Sequence, residues 1–157
     1  MFDFLFSKDD AIVILKNDHS KVKDIFEKFE NTNDIRRKRQ LAEQAIEELK
    51  IHAEIEEKIF YPTVRKNIEK DIMNEADEEH HVAKFLIAEL EQMKVGDPHW
   101  EAKFIVLAEN IRHHIREEEG EMLPKARSLN IDFHALGQEL QAMKQKLKRN
   151  GILPSDE

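Results

Sequence analysis

The sequence predicts an all-α protein, an up-down-up-down four-helix bundle with an additional C-terminal helix. Gly and Pro each occur four times in 157 residues, and 37% of the residues are charged, as is typical of long solvated helices. Apolar residues recur at alternating spacings of three and four, which is the period of a helix face. Alternating β-branched runs and Asn-Gly turns, which indicate strands, are missing. A chain of this length is expected to form one domain with a buried core.

We divide the chain into three segments. Residues 1–8 form an apolar N-terminal strap, residues 9–127 the four-helix bundle, and residues 128–157 a C-terminal helix and tail. Phe2, Phe4 and Phe6 in the first segment either pack on the bundle or form a self-association patch. The expected state is therefore a monomer or a homodimer.

The first two helices each carry polar residues in an otherwise apolar stripe. Asp9 or Asp10 can cap a first helix that runs to about Glu30. The second helix is expected over about 35–66, with a bend where Pro62 removes a backbone hydrogen bond. The inward stripe of the first helix is Ile12, Leu15, His19, Val22, Phe26 and Phe29. That of the second helix is Leu41, Ala45, Leu49, His52, Glu56, Ile59 and Thr63.

The next two helices repeat this arrangement. The third is expected over about 70–94, and Gly96-Asp97-Pro98 is predicted to end it, cap the fourth and place Pro98 at its first position. The fourth is expected over about 98–126. The spacing selects His80 over His81 and His114 over His113 as inward residues. The two inward stripes are Met73, Ala76, His80, Ala83, Ile87 and Leu90, then Phe104, Leu107, Ile111, His114, Glu118 and Met122.

A fifth helix, over about 132–149, is expected to pack against the outside of the bundle. Its stripe contains neither a His nor a carboxylate and consists of Phe133, Leu136, Leu140, Met143 and Leu147. The basic segment from Lys144 to Arg149 is interpreted as a solvated helix end.

The second and fourth helices contain two similar sequence segments. Residues 52–62 read HAEIEEKIFYP, and residues 114–124 read HIREEEGEMLP. In each, a His and a Glu four residues later lie on one helix face. The interval from His19 to His52 is 33 residues, and that from His80 to His114 is 34. Two hairpins related by a pseudo-twofold axis would therefore bring all six residues to one level of the bundle.

These six residues are the candidate metal ligands: His19, His52, Glu56, His80, His114 and Glu118. A single His on an apolar face is usually a hydrogen-bonded core residue, and a single HxxxE is usually surface. Burying all six without a cation would leave several hydrogen bonds unmade, at about 1–3 kcal/mol each. The matched spacing therefore favours a metal site.

The donor set indicates two ions rather than one. The chain has no Cys, so the donors are imidazoles and carboxylates. Bridging by Glu56 and Glu118 would give each ion at most four protein ligands and leave open positions. A structural zinc site would be closed, and imidazoles argue against magnesium or calcium. Iron fits best, with manganese or zinc as possible substitutes.

The pattern H…HxxxEE…H…HxxxEE, with FYP and MLP after its two halves, resembles the hemerythrin-like, HHE cation-binding domain over about residues 9–127. The resemblance implies an oxo- or hydroxo-bridged di-iron centre held by the six residues. Oxygen-carrying hemerythrins have a further His four residues from the first one on the third helix, where this chain has Ala76 or Lys84. They also have an Asp where this chain has Glu119. Reversible oxygen carriage is therefore not implied.

Three functions compete to explain such a site. The first is action on peroxide, O2 or NO, with peroxide or reactive-species detoxification of a catalase-like kind favoured. The alternative is a non-catalytic module that binds, senses or stores O2, NO or iron. The third is a purely structural role, in which fully coordinated metals stabilise the bundle. It conflicts with the ligand count, because six ligands do not fill the coordination of two ions. Tyr61 is a candidate proton or electron relay, although it can simply pack at the bend. His81 and Glu119 are candidate proton donors that can equally be solvated.

Net charge and hydropathy limit the kinds of partner and the location that we expect for this protein. The formal net charge of −8 argues against nucleic acid and against an anionic membrane surface. No stretch approaches the roughly 20 apolar residues of a membrane helix. Residues 1–6 are apolar but lack the basic region of a signal peptide, so a cytoplasmic location is expected.

Overall fold

A computed structural model describes residues 9–151, and the predicted strap at residues 1–8 lies outside this range. The long helices are α1 (Ala11–Glu30), α2 (Ile35–Ile55), α4 (Lys70–Gln92), α5 (Trp100–Glu117) and α7 (Phe133–Asn150). The short helices α3 (Tyr61–Val64) and α6 (Leu123–Arg127) extend the second and fourth arms of the bundle. No helix within residues 9–151 has the length and apolar character needed to cross a membrane.

The helices pair as two hairpins, α1 with α2 and α4 with α5. Short connections between consecutive helices make the neighbours antiparallel, so the four arms run up, down, up and down. The predicted all-α fold class is confirmed. Helix α7 packs against α1 and α2, outside the four arms, as its stripe predicts.

Three aspartates cap helices by accepting a hydrogen bond from a backbone N–H in the first turn. They are Asp10 for α1, Asp34 for α2 and Asp132 for α7, at 3.0 Å each. The fourth arm starts later than predicted, at Trp100. Asp97 accepts hydrogen bonds from the N–H groups of His99 and Trp100, so residues 97–99 form a turn ahead of the helix.

A π-helical turn interrupts the second arm, which the sequence predicts as one helix. This turn, Glu56–Phe60, closes with a hydrogen bond from the N–H of Tyr61 to the carbonyl of Glu56. The same turn recurs at Glu118–Met122, where the N–H of Leu123 donates to Glu118. Each turn starts at a candidate ligand and is followed by a proline, which has no N–H to donate.

The first π turn changes which side chains face inward. Its extra residue rotates the chain that follows it relative to an uninterrupted α-helix. Thr63, predicted to face inward, is exposed, whereas Tyr61 and Val64 are buried. The sequence prediction at Thr63 is therefore wrong, because it continues a 3.6-residue period through a wider turn.

The apolar core forms two clusters, one on each side of the six polar residues. Helix α1 shows the division, since Leu15 lies in one cluster and Val22 in the other, with His19 between them. Phe60, Tyr61 and Met122 belong to the first cluster. A polar layer buried between two such clusters is shielded from water on both sides.

Helix α7 approaches the start of α1 closely at Gly137. A Cβ atom there would lie 3.0 Å from the backbone nitrogen of Ala11 and 3.0 Å from the carbonyl oxygen of Asp9. Such contacts are tighter than most Cβ atoms make, so glycine favours this close crossing. The prediction of a solvated end for the last helix is wrong at Lys144, because its side chain is only 15% exposed and pairs with Asp18. It lies one turn after the buried Leu140, so it stands on the inward face of α7.

Candidate metal centre

The six candidate ligands meet in one layer of the bundle. Two histidines come from the middle of α1 and α4, two from the ends of α2 and α5, and the two glutamates open the π turns. The side chains of Glu56 and Glu118 are fully buried. Carboxylates this deep need a cation or several donors to offset the loss of water.

The described residues form two buried groups able to hold a metal ion. The first consists of His19, His52, Glu56 and Glu118, and the second of His80, His114 and the same two glutamates. Within each group, the candidate ligand atoms lie within 4.8 Å of one another. The imidazole pairs have similar geometry, with ring centroids 4.9 Å apart in the first group and 5.0 Å in the second.

Each glutamate spans both groups, with one oxygen facing each. All four histidines direct Nε2 at one of these oxygens. The distances are 3.2 Å for His19 to Glu118 Oε1, 3.2 Å for His52 to Glu56 Oε2, 3.0 Å for His80 to Glu56 Oε1 and 3.1 Å for His114 to Glu118 Oε2. This is the placement expected of carboxylates shared by two metal positions.

The outer nitrogen of every imidazole also has a carboxylate partner. Because an ionised carboxylate only accepts hydrogen bonds, Nδ1 carries the proton and the lone pair of a neutral ring is at Nε2, facing the centre. Such partners fix the tautomer and orientation of metal-binding histidines. The Nδ1 partners are Glu119 for His19 at 2.6 Å, Asp18 for His52 at 2.9 Å, Glu57 for His80 at 2.7 Å and Glu79 for His114 at 2.6 Å.

These partners follow the pseudo-twofold symmetry. Asp18 and Glu79 directly precede the first histidine of their hairpin and orient the second one. Glu57 and Glu119 each orient the first histidine of the opposite hairpin. Sequence reasoning did not assign the role of Asp18, Glu57 or Glu79. The sequence does contain a signal for this role. An acidic residue directly precedes the first histidine of each hairpin, and each HxxxEE motif has a second Glu.

A lysine supports one outer carboxylate in each group. Lys144 of α7 donates to Asp18 at 2.5 Å, and Lys84 donates to Glu57 at 2.5 Å. Burial alone would raise the pKa of Asp18, but the hydrogen bonds and charges of His52 and Lys144 lower it to about 2. Burial would lower the pKa of His52, but the charge of Glu56 and the hydrogen bond to Asp18 raise it to about 10.

The hydroxyl of Tyr61 lies inside the second group. It donates to Glu118 Oε2 at 2.5 Å and lies 3.3 Å from Glu56 Oε1. It is also 3.2 Å from Nε2 of His80 and 3.4 Å from Nε2 of His114. Burial and the negative charges of Glu118 and Glu56 raise the pKa of Tyr61 well above its ordinary value. Tyr61 both packs in the core, as the simpler interpretation expects, and touches the polar layer.

The first group lacks such a hydroxyl, and its four inward atoms have no hydrogen-bond partner. They are Nε2 of His19, Nε2 of His52, Oε2 of Glu56 and Oε1 of Glu118. Buried polar atoms rarely remain unpaired in folded proteins. Two imidazole nitrogens and two carboxylate oxygens converging without partners form a suitable donor set for a first-row divalent cation. The residues therefore fit a bound metal.

The remaining candidates lie farther out. The side chains of His81 and His113 are 76% and 54% exposed, so the predicted phase of both helices is confirmed. Glu119 is partly exposed and orients His19. A third and more exposed group contains Glu75, Glu79, His113 and Glu117. Exposed acidic groups of this kind are common without an ion, and this one lacks the buried unpaired atoms of the first group.

A cavity of about 340 Å³ adjoins the polar layer. All four imidazoles line it, whereas Glu56, Glu118 and Tyr61 do not. The centre therefore has a closed side toward the tyrosine and an open side toward the cavity.

The fold and this layer define a class, the four-helix bundles with a layer of histidines and carboxylates between two hairpins. The sequence profile of the hemerythrin HHE cation binding domain matches residues 10–126, and the chain belongs to this family. The family assignment confirms the resemblance found in the sequence.

Two individual proteins are similar to this chain. A hemerythrin HHE cation binding domain-containing protein from Mycobacterium kansasii has the same fold, with a TM-score of 0.76, 22% identity, and coverage of 90% of this chain and 89% of its own. A protein named DNA nickase from Nostoc sp. (strain PCC 7120 / SAG 25.82 / UTEX 2576) is 26% identical over 139 residues. That match covers 87% of this chain and 39% of the length of the Nostoc protein.

Proposed function

We propose that the six-residue layer binds two iron ions and that the protein removes peroxide in a catalase-like reaction. The observation that carries this proposal is the pair of buried glutamates, each with one oxygen in either group. Six ligands shared in this way cannot fill the coordination of two ions, so positions for a small oxidant remain. Manganese or zinc could replace iron in the same donor set.

An iron pair would supply the two-electron redox change that peroxide disproportionation requires. The protein residues supply orientation and protons. The outer carboxylates hold each imidazole with Nε2 directed inward, so the ring needs no reorientation when a metal binds. The apolar cluster on the tyrosine side keeps bulk water away from that side of the layer, and the other side opens to the cavity.

Tyr61 is the proton donor that we assign to the reaction. Its hydroxyl lies within hydrogen-bond distance of Glu118 and contacts both imidazoles of the second group. A phenol that stays protonated near pH 7 can donate to oxygen leaving the O–O bond and then recover its proton. His81 lies too far toward solvent for this role.

The test is oxygen evolution from peroxide. Protein loaded with iron under anaerobic conditions is mixed with hydrogen peroxide at an oxygen electrode, and its visible spectrum is followed. Repeated turnover with release of oxygen supports the proposal. A spectrum that changes reversibly with air or NO, without turnover, would instead establish a binding or storage module, and indifference to every small molecule would leave only a structural metal site.

We do not extend DNA nicking to this chain. The chain corresponds to 39% of the Nostoc relative, and its net charge of −8 opposes binding to phosphate backbones. Supercoiled plasmid incubated with the metal-loaded protein should therefore stay supercoiled. Conversion to the relaxed form, absent after Glu56→Ala, would contradict this assignment.

A further inference from the structure

We propose that the cavity beside the imidazoles is a binding site for neutral organic hydroperoxides, with the peroxide end at the histidines and the hydrocarbon body in the cavity. This inference rests on the proposed function, because it names a substrate class for the same centre. It extends the range of oxidants from hydrogen peroxide to molecules with an apolar body.

The size of the cavity is the first argument. Its volume of about 340 Å³ falls within the range of small-molecule sites, roughly 300–1,000 Å³. Hydrogen peroxide and diatomic gases are close in size to water, which occupies about 30 Å³ in the liquid. A site for these molecules alone would not need so large a space next to the centre.

The chemistry of the wall is the second argument. Apolar side chains from all four arms line the cavity between the imidazoles and the rim: Val22, Leu49, Ala83, Ile87, Ile111 and Ile115. All except Ala83 are buried, and all pack in the second core cluster or against it. Water gains few hydrogen bonds from such a wall, so replacing it with hydrocarbon is favourable.

The charges around the cavity argue for a neutral ligand. Every lysine in the lining already has a carboxylate partner: Lys50 pairs with Glu91, Lys58 with Glu54 and Lys84 with Glu57. The lining carboxylate of Glu48 pairs with Lys21. With these partners in place, no lysine in the described lining of the cavity is left unpaired to attract an anionic head group. The floor, by contrast, is formed by the four imidazoles that would hold the metals, and these metals would bind the polar end of the ligand.

The reaction of such a ligand balances within the proposed function. Reduction of ROOH to ROH and water breaks the O–O bond and consumes two electrons and two protons. The electrons would come from an iron pair in its reduced form, which hydrogen peroxide would restore with release of O2, as in the proposed function. The two protons would come from solvent through the Tyr61 hydroxyl. The alcohol product keeps the hydrocarbon body, so it should occupy the same cavity.

The test measures binding rather than turnover. Cumyl alcohol, the product of cumene hydroperoxide, is titrated into zinc-loaded protein, in which no redox reaction is possible, and followed by calorimetry and by NMR shifts. Ala83→Leu and Ala53→Leu each fill part of the cavity from a different helix. Val82→Leu is the matched control, because Val82 is an exposed neighbour of Ala83 outside the cavity lining.

We expect saturable binding, weakened about tenfold or more by either cavity-filling variant and unchanged by Val82→Leu. Thermal unfolding of each variant checks that it folds. Absence of saturable binding, or equal affinity in all variants, would overturn this inference even if hydrogen peroxide is turned over. Binding that depends on Ala83, in a protein whose iron form ignores peroxide, would support the cavity assignment while the proposed function fails.

Discussion

The hydroxyl of Tyr61 donates a hydrogen bond of 2.5 Å to Oε2 of Glu118, at the point where the two hairpins meet. Tyr61 comes from α3 and Glu118 from the opposite hairpin, so the bond joins the two halves of the bundle. It also places the one phenol of the chain against a shared candidate ligand.

Replacing Tyr61 with Phe should remove the proposed proton donor and leave the six candidate ligands in place. We expect Tyr61→Phe to retain two irons per chain and to consume peroxide about a hundredfold more slowly, the usual effect of losing a general acid. Metal analysis and oxygen evolution measure the two quantities. His81→Ala is the control, because His81 is the exposed alternative candidate for the proton donor. An undiminished rate in Tyr61→Phe would show that the proton comes from another group.

The shared placement of the glutamates predicts unequal effects of ligand variants. Glu56→Ala changes both groups, so it should abolish binding of both ions, whereas His19→Ala changes only the first group and should leave one ion. Metal content per chain, measured by mass spectrometry after desalting, distinguishes the two. His81→Ala and His113→Ala should retain both ions, and full metal content in Glu56→Ala would remove that residue from the ligand set.

Lys144 should influence metal binding although it lies on α7, outside the four-helix bundle. It donates to Asp18, which orients His52, so Lys144→Gln loosens that imidazole without removing a ligand. We expect the affinity for one of the two ions to fall about tenfold, the lower end of the range for losing a direct partner of a metal ligand, because Lys144 acts through Asp18. Competition with a chelator measures this, with the exposed Lys146→Gln as control and Lys144→Arg as the rescue. Equal affinities in Lys144→Gln and the wild type would make the contact purely structural.

The metal-free protein should be most stable at mildly acidic pH. The pKa of Asp18 is lowered to about 2, so its contribution is present above its ordinary pKa of 3.8 and is lost as the pH falls toward 2. The pKa of His52 is raised to about 10, so its contribution is present below its ordinary value of 6.5 and is lost as the pH rises through 10.

Denaturant unfolding of the metal-free protein at pH 3, 6 and 10 measures this dependence. The free energy of unfolding should be largest at pH 6. The double variant Asp18→Asn, His52→Gln should show a flatter profile, because both shifted groups are gone. A profile identical to that of the wild type would mean that this pair does not control the pH response.

The sequence predicts the inward histidines well because the α-helical period is unbroken up to each of them. His80 and His114 face the centre, whereas His81 and His113 are exposed. The same reasoning fails at Thr63, because this residue follows a π turn and no sequence pattern predicts that turn. Pro62 indicates that the helix is disturbed here, but a proline is compatible with a kink as well as with a π turn. Only the backbone hydrogen bonds distinguish a kink from a π turn.

The surroundings of the site were harder to predict than its ligands. The carboxylate pairing of Glu57 depends on which hairpin faces which, and this is a property of the packed bundle. The ion pair between Lys144 and Asp18 joins residues 126 positions apart and depends on where α7 crosses α1. That crossing is set by the close approach at Gly137, which the sequence alone does not reveal.

Anomalous X-ray scattering at the iron edge, from crystals of the iron-loaded protein, would locate the two proposed ions. We expect two peaks per chain, one at bonding distance from Nε2 of His19 and His52 and the other from Nε2 of His80 and His114, with both glutamates between them. A single peak, or peaks only at the exposed group around Glu75 and Glu117, would contradict the proposal.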